Sequence, residues 1–190
     1  VRITAFPESP RYTAAAVPFP FEDISATGTV IPELTGAVDA SVPIAIGFTF
    51  PFFGVSNTTV FVSSHGLLSF GIADANFNNA DLTTTPTEAV IAPFWDDQLF
   101  PAPNSKVLFQ VIGSGADQHL TIQWDQKSFF SGGDAIDTIT YEAQLFADGR
   151  IRFNYLDLIS GTAPGNNGGS ATVGIKAAGT FHVSGSPVHC

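Results

Sequence analysis

The residues Asp74-Ala75-Asn76-Phe77-Asn78, followed by Asp81, set hard oxygen side chains at nearly every second position. Such donors suit Ca²⁺, which prefers carboxylate, amide and carbonyl oxygens. The stretch departs from an EF-hand loop. Asn79 stands where the sharp-turn glycine belongs, Thr85 stands where the bidentate glutamate belongs, and no helix flanks it. The same residues are turn formers, so a solvated loop is the simpler reading. Asp96-Asp97, just after the apolar run that ends in Trp95, form a second candidate cation pair. If sheltered, two adjacent carboxylates need a cation or backbone N–H donors. Capping and turn bonds are their plainer role.

Other chemistry is thinner. His65 lies near Ser63, Ser64 and Ser69, the residue types of a Ser-His-Asp site. A turn histidine among surface serines is the simpler expectation. His119, His182 and His189 are scattered, without metal-ligand spacing. There is no G-x-S-x-G elbow, H-E-x-x-H, P-loop or G-x-G-x-x-G. No catalytic residue is assigned. Trp95, Trp124 and Tyr155 have rings that would stack on a sugar, but their positions along strands favour the core. Asn57-Thr58-Thr59 is a glycosylation sequon, meaningful in a host that glycosylates secreted chains.

The elements that carry these residues read as strands. Apolar residues alternate at Ile44, Ile46, Phe48 and Phe50, before a corner bracketed by Pro51 and Gly54. Strands at 58–63 and 66–70 flank a turn at His65-Gly66, and 72–88 is a polar loop. The run 90–95 is apolar throughout and interrupted only by Pro93. Strands follow at 106–112 and around Leu120, Ile122 and Trp124, with a Gly/Ser loop at 126–136. A long hairpin spans 137–157 around Asp148-Gly149, a pair that meets the positive-φ needs of a tight turn. Ile139, Tyr141, Ala143 and Leu145 share its buried face; Thr138, Thr140, Glu142 and Gln144 share the other. Strands at 171–176 and 180–183 close the set. This is an all-β chain of about ten strands without a substantial helix, an antiparallel β-sandwich of jelly-roll-like character.

Residues 1–22 carry prolines at 7, 10, 18 and 20 and read as an extended arm. Its Ile3, Phe6 and Tyr12 can dock on their own domain or add to a neighbour's sheet edge. Residues 23–190 then form a single domain, which fits a chain of 190 residues.

Charged residues are only 13% of the chain, about half of the usual ~25%, so many strands must be sheltered on both faces or turn Thr, Ser and Asn outward. A net charge of −10, with no basic stripe, disfavours nucleic acid and gives no attraction to anionic lipid. No apolar run is long enough to span a membrane. Cys190 is the lone cysteine, so there is no internal disulfide. It reads as an accidental end or as a link to another chain. The chain begins at Val1, has no Met, and reads as a mature, processed or excised piece.

The motif order FPFFG, VFVSSHGLLSFG and VIAPFWDD, at Phe50–Gly54, Val60–Phe70 and Ile91–Asp97, resembles the nidogen-like (NIDO) extracellular domain. It also resembles repeats of large bacterial secreted and surface proteins. The resemblance continues through Leu120–Trp124, the hairpin at 138–155 and Gly168–Ile175, and begins with the leading segment FEDISAT at Phe21–Thr27. It departs at His65, where such repeats often carry Asn. The resemblance implies an extracellular or cell-surface module for adhesion, matrix or structure, with protein partners or self-association and no catalytic site. Two alternatives stand beside it: a carbohydrate- or Ca²⁺-dependent binding module, and a hydrolase on a jelly-roll scaffold.

Overall fold

The computed structural model describes residues 2–6, 11–16, 21–101 and 103–179, with the side chains of 2–6 and 11 left aside. In chain order the strands are β1 (Arg2–Phe6), β2 (Arg11–Ala15), β3 (Thr29–Val30), β4 (Ser41–Phe52), β5 (Val55–Ser63), β6 (Leu68–Phe70), β7 (Ala89–Trp95), β8 (Gln98–Leu99), β9 (Lys106–Ile112), β10 (His119–Phe129), β11 (Ile139–Phe146), β12 (Ile151–Asp157) and β13 (Thr172–Lys176). The described helical residues are two single 3₁₀ turns, Gly115–Asp117 and Asn166–Gly168. The expected strand at 180–183, together with His182, His189 and Cys190, lies outside the described residues.

Two antiparallel sheets form a sandwich. One runs β2-β1-β12-β11-β10-β9-β3, with β8 pairing the far end of β10; the other runs β13-β7-β6-β5-β4. Each is built around a meander, because β4 to β7 and β9 to β12 pair antiparallel in chain order, the long loop 71–88 joining β6 to β7. The turn between β4 and β5 is Phe53-Gly54, with φ of +46° and +81°. Positive φ at both central residues matches the twist of a two-residue hairpin. The chain turns from β11 into β12 at Asp148-Gly149 as expected, with Gly149 alone of the pair at positive φ (+89°), and the Gly149 N–H donates to Phe146 O at 2.9 Å.

The core lies between the sheets. Phe50, Phe52 and Phe70 stack across β4 and β6, with ring centroids 5.0–6.0 Å apart. From the opposite sheet, Trp124 stacks on Tyr141 at 5.1 Å. Both rings are fully buried. A second, smaller cluster of Leu67, Val90, Ala92 and Trp95 lies on the outer side of the five-stranded sheet, covered by Ala80 and Leu82 of the 72–88 loop.

The hairpin β11–β12 differs from its expected pattern. Its polar face is also buried: Glu142 and Gln144 have no exposed surface and Thr140 has 6%. The cover is the leading segment 21–28. Its Ile24 N–H donates to Gln123 Oε1 at 2.8 Å, and its Glu22 N–H donates to Glu142 Oε1 at 3.2 Å. Both sheets are therefore roofed by loops, which is how a chain so poor in charge shelters its strands.

Candidate functional site

The most densely bonded polar cluster is the turn between β5 and β6, where it meets the end of β7. The chain reverses at Ser64-His65-Gly66 and presses against Phe94, Gln98 and Tyr141. Gly66 sits at φ +72°, and a β-carbon there would run into the Phe94 carbonyl oxygen and the Tyr141 hydroxyl. Glycine is required on both counts. His65 is completely buried, not a surface turn residue as its neighbours suggested, and Ser63, Ser64 and Ser69 are buried with it.

Both ring nitrogens of His65 are engaged. The Gln98 backbone N–H reaches Nδ1 at 3.2 Å, and Asp39 Oδ1 lies 2.9 Å from Nε2. A backbone N–H can only donate, so Nδ1 accepts and Nε2 carries the proton toward Asp39. The serines point elsewhere: Ser63 Oγ accepts from the His65 N–H at 3.1 Å, and Ser64 Oγ accepts from the Ala40 N–H at 3.1 Å. No described bond joins a serine hydroxyl to the ring. Around the cluster, Gln98 Nε2 donates to Phe94 O at 2.8 Å and Tyr141 OH donates to Gln98 Oε1 at 2.9 Å. Trp124 Nε1 donates to Ser63 O at 2.9 Å and ties the opposite sheet into the same knot.

Asp96 and Asp97 flank this knot. Ser170 Oγ donates to Asp96 Oδ2 at 2.6 Å, and the Asp97 N–H donates to Asp96 Oδ1 at 2.9 Å. Burial pushes the Asp96 carboxyl above the usual carboxylate range, although these donors pull it back. Asp97 is also raised by burial, opposed by His65 and reinforced by the negative charge of Asp39. Its Oδ1 stands 3.9 Å from His65 Nδ1.

In the 72–88 loop, side-chain oxygens serve the loop's own backbone. Asp74 Oδ1 accepts from the Asn76 N–H, Asn76 Oδ1 from the Asn78 N–H and Asp81 Oδ1 from the Thr83 N–H, at 2.8–3.0 Å. The loop is pinned to the sheet by Trp95 Nε1 donating to Asn76 O at 2.7 Å and by Asn79 Nδ2 donating to Ser170 O at 2.6 Å. The structure adds one partner the sequence did not suggest. Glu88 stands beside Asp74, and burial together with that like charge raises the Glu88 carboxyl. Among the described residues, no group of three or more His, Cys, Asp or Glu gathers in a metal-holding geometry. Asp74–Asp81 and Asp96-Asp97 thus remain two separate places. Trp124 belongs to the inter-sheet core and Trp95 to the outer cluster. Neither has exposed surface, and Tyr155 OH donates to Pro93 O at 2.7 Å.

The arm lies on its own sheet. Ile3 pairs with Ile151 of β12, and Tyr12 pairs with Ala5 inside the arm, whose β1 ends at Phe6. The Tyr12 ring packs 4.8 Å from Phe53 and 5.7 Å from Phe52. Burial there pushes its phenol up to about 12.

Two polar features, one half-buried and one fully buried, had no sequence signal. Glu22 Oε2 gathers His119 Nε2 at 2.7 Å, Gln144 Nε2 at 2.8 Å and the Thr121 hydroxyl at 3.0 Å. These partners lie about a hundred positions from Glu22, so only pairing brings them together. Lys127 is fully buried with its ammonium 3.0 Å from the centre of the Phe100 ring and no hydrogen-bond partner, and burial holds it well below the ordinary lysine range.

A family model described as NIDO related matches residues 11–188. The chain belongs to the NIDO-related family. The match takes in the β5–β6 turn, the β7 end and the leading segment, so the residues that carried the resemblance are those that knit the two sheets. Among curated relatives, mouse alpha-tectorin is 26% identical over 156 residues, covering 69% of this chain and 7% of that protein. Human alpha-tectorin is 25% identical over 179 residues, covering 81% of this chain and 8% of that protein. The chain therefore spans less than a tenth of the length of these relatives. No solved structure matches.

Proposed function

We propose that this NIDO-related chain is a non-catalytic extracellular structural module, part of a surface or matrix assembly that works through protein contacts. The observation that carries the reading is the use made of the family motif. His65, Asp96 and Gln98 spend their bonding capacity on neighbouring side chains, Asp39, Ser170 and Tyr141, and on backbone. A catalytic base needs an accessible lone pair within reach of its substrate; both nitrogens of His65 are occupied and the ring is buried. The low charge content, the acidic surface and the relatedness to a stretch of alpha-tectorin support the same reading. Fold likeness alone would not, since function sits in sites.

The test is an activity screen with esterase, glycosidase and peptidase substrates on the full chain and on His65→Asn. Neither protein turns over substrate, and the variant unfolds at lower denaturant. Turnover by the parent that is lost in the variant would refute the structural reading.

A Ca²⁺-dependent binding module is the second reading, favoured by one observation, the Glu88 carboxyl beside Asp74. A cation would relieve that repulsion. It requires that Ca²⁺ raise the melting temperature of the parent and not of Asp74→Ala.

A further inference from the structure

We propose that the leading segment 21–28 is a proton-latched strap, closed over the outer face of the eight-stranded sheet while His119 and Glu142 hold their protons and lifted from it as pH rises. The inference goes beyond the structural reading above and does not rest on it.

Three observations carry it. First, the bonds of His119 count its protons. Nδ1 lies 2.7 Å from Asp117 O, and a carbonyl only accepts, so Nδ1 donates. Nε2 lies 2.7 Å from Glu22 Oε2, which already receives the Thr121 hydroxyl and Gln144 Nε2. An oxygen that takes two other donors acts as a carboxylate, so Nε2 donates to it as well. Bonded at both ends, the ring carries two protons, and losing either one breaks a bond. Second, Glu142 is tied to the same strap. The Glu22 N–H donates to its Oε1 at 3.2 Å, while Oε2 is buried without a partner. Once ionised, Glu142 sets a poorly bonded buried charge beside the Glu22 carboxylate, and burial raises it to about 7. Third, solvent reaches the latch, because the Glu22 side chain keeps 31% exposure.

The other charges around the latch do not reverse the sign. On the strap, Asp23 is held below the usual carboxylate range by the Ser25 N–H. From β12 and its turn, Arg152 and Arg150 stand over the Phe146 ring on which His119 stacks, and they stay charged throughout. The Asp117 carboxylate pairs with Arg150 at 3.3 Å. From β9, Lys106 Nζ donates to Ser25 O at 3.1 Å. On β10, Asp125 is raised by burial and by Asp23, and ionises in the same direction as Glu142. Rising pH therefore removes bonds and adds negative charge beneath the strap. Opening bares Thr121 facing Gln144 and Gln123 facing Glu142 across β10 and β11. That polar quartet is what the closed strap withholds from partners.

The experiment measures amide hydrogen exchange of the full chain at pH 5, 6, 7 and 8, with each rate corrected for the intrinsic pH dependence of exchange. Ile24 and Gly28 report the strap, because their N–H groups donate to Gln123 Oε1 and Ile24 O. Ile122 and Ala143, paired in register, report the sheet. Strap protection should fall about tenfold between pH 5 and pH 8, the worth of one charged hydrogen bond. The opening should ignore low urea, the sign of a local event, while Ile122 and Ala143 stay slower and keep their urea dependence. A chain carrying both His119→Gln and Glu142→Gln cannot titrate at either site and should show a flat strap profile. If that chain does not fold, the parent profile alone decides. Constant strap protection in the parent, strap exchange that tracks urea together with the sheet amides, or a folded double variant that keeps the parent's slope would each overturn the latch.

Discussion

Replacing Glu142 by Gln should flatten the dependence of stability on pH. Glu142 lies on β11 under the leading segment, with no exposed surface. Its Oε1 accepts from Asn154 Nδ2 at 2.6 Å, from Gln144 Nε2 at 3.2 Å and from the Glu22 N–H at 3.2 Å, while Oε2 has no partner. The charges that act on it, Glu22 and Asp23, are negative. Burial, reinforced by those carboxylates and opposed by the donors, raises it from 4.5 to about 7. Below pH 4.5 the folded and unfolded chains both hold the proton. Between 4.5 and 7 only the folded chain does, so stability falls as pH rises and the loss is complete somewhat above 7. At ~1.4 kcal/mol for each tenfold change in proton affinity, the loss is ~3 kcal/mol, set against a total of ~5–15 kcal/mol for a domain. Glutamine keeps the Oε1 acceptor and cannot ionise. Urea unfolding, followed by fluorescence of the buried Trp95 and Trp124 at pH 4.5, 6, 7 and 8, gives the two profiles. The parent should lose ~3 kcal/mol more than Glu142→Gln across that range, and the variant should be the more stable at pH 8. Asp96, Asp97, Asp125 and Glu88, also raised, tilt both profiles alike. Parallel profiles, or a variant weaker at pH 8, would refute the reasoning.

Lys127→Met should stabilise the protein at pH 7 by about 1–2 kcal/mol, because it replaces an unpaired buried amine with an apolar chain of similar length; a lower urea midpoint would contradict this. The parent's lysine also predicts stability that rises with pH between its depressed value and the ordinary 10.5, because there only the unfolded chain holds the proton. Gly66→Ala should cost more than ~3 kcal/mol, since both the positive φ and the contact with Phe94 O forbid a β-carbon; a soluble variant with near-parent stability would show that the turn can move. Phe53→Asn should relax the β4–β5 turn yet release Tyr12. Ultraviolet titration would then show the phenol falling from about 12 toward the ordinary 10.

Much of the strand pattern was legible. The alternation in 139–145 and 151–155 depends on a two-residue period, a local property, and Asp148-Gly149 names its own turn. The sheltering implied by 13% charge was also readable, but not the cover. Glu142 and Gln144 looked like a solvent face because the period says which residues share a side and says nothing of what lies over it. His65 was misread for a related reason. Ser-Ser-His-Gly is surface-turn chemistry locally, and its burial is decided by Phe94, Gln98 and Tyr141 arriving from other strands.

By itself the sequence determined the all-β character, the hairpin turns, the Phe-rich core positions and the family, because those rest on spacing along the chain. Only the tertiary structure decided which polar residues face one another: Glu22 with His119 and Glu142, Asp39 with His65, and Tyr12 with Phe53. Their separations, from 26 residues upward, are bridged by sheet pairing and loop packing, and the charge, strain and burial that follow depend on those distances in space rather than on the order of residues.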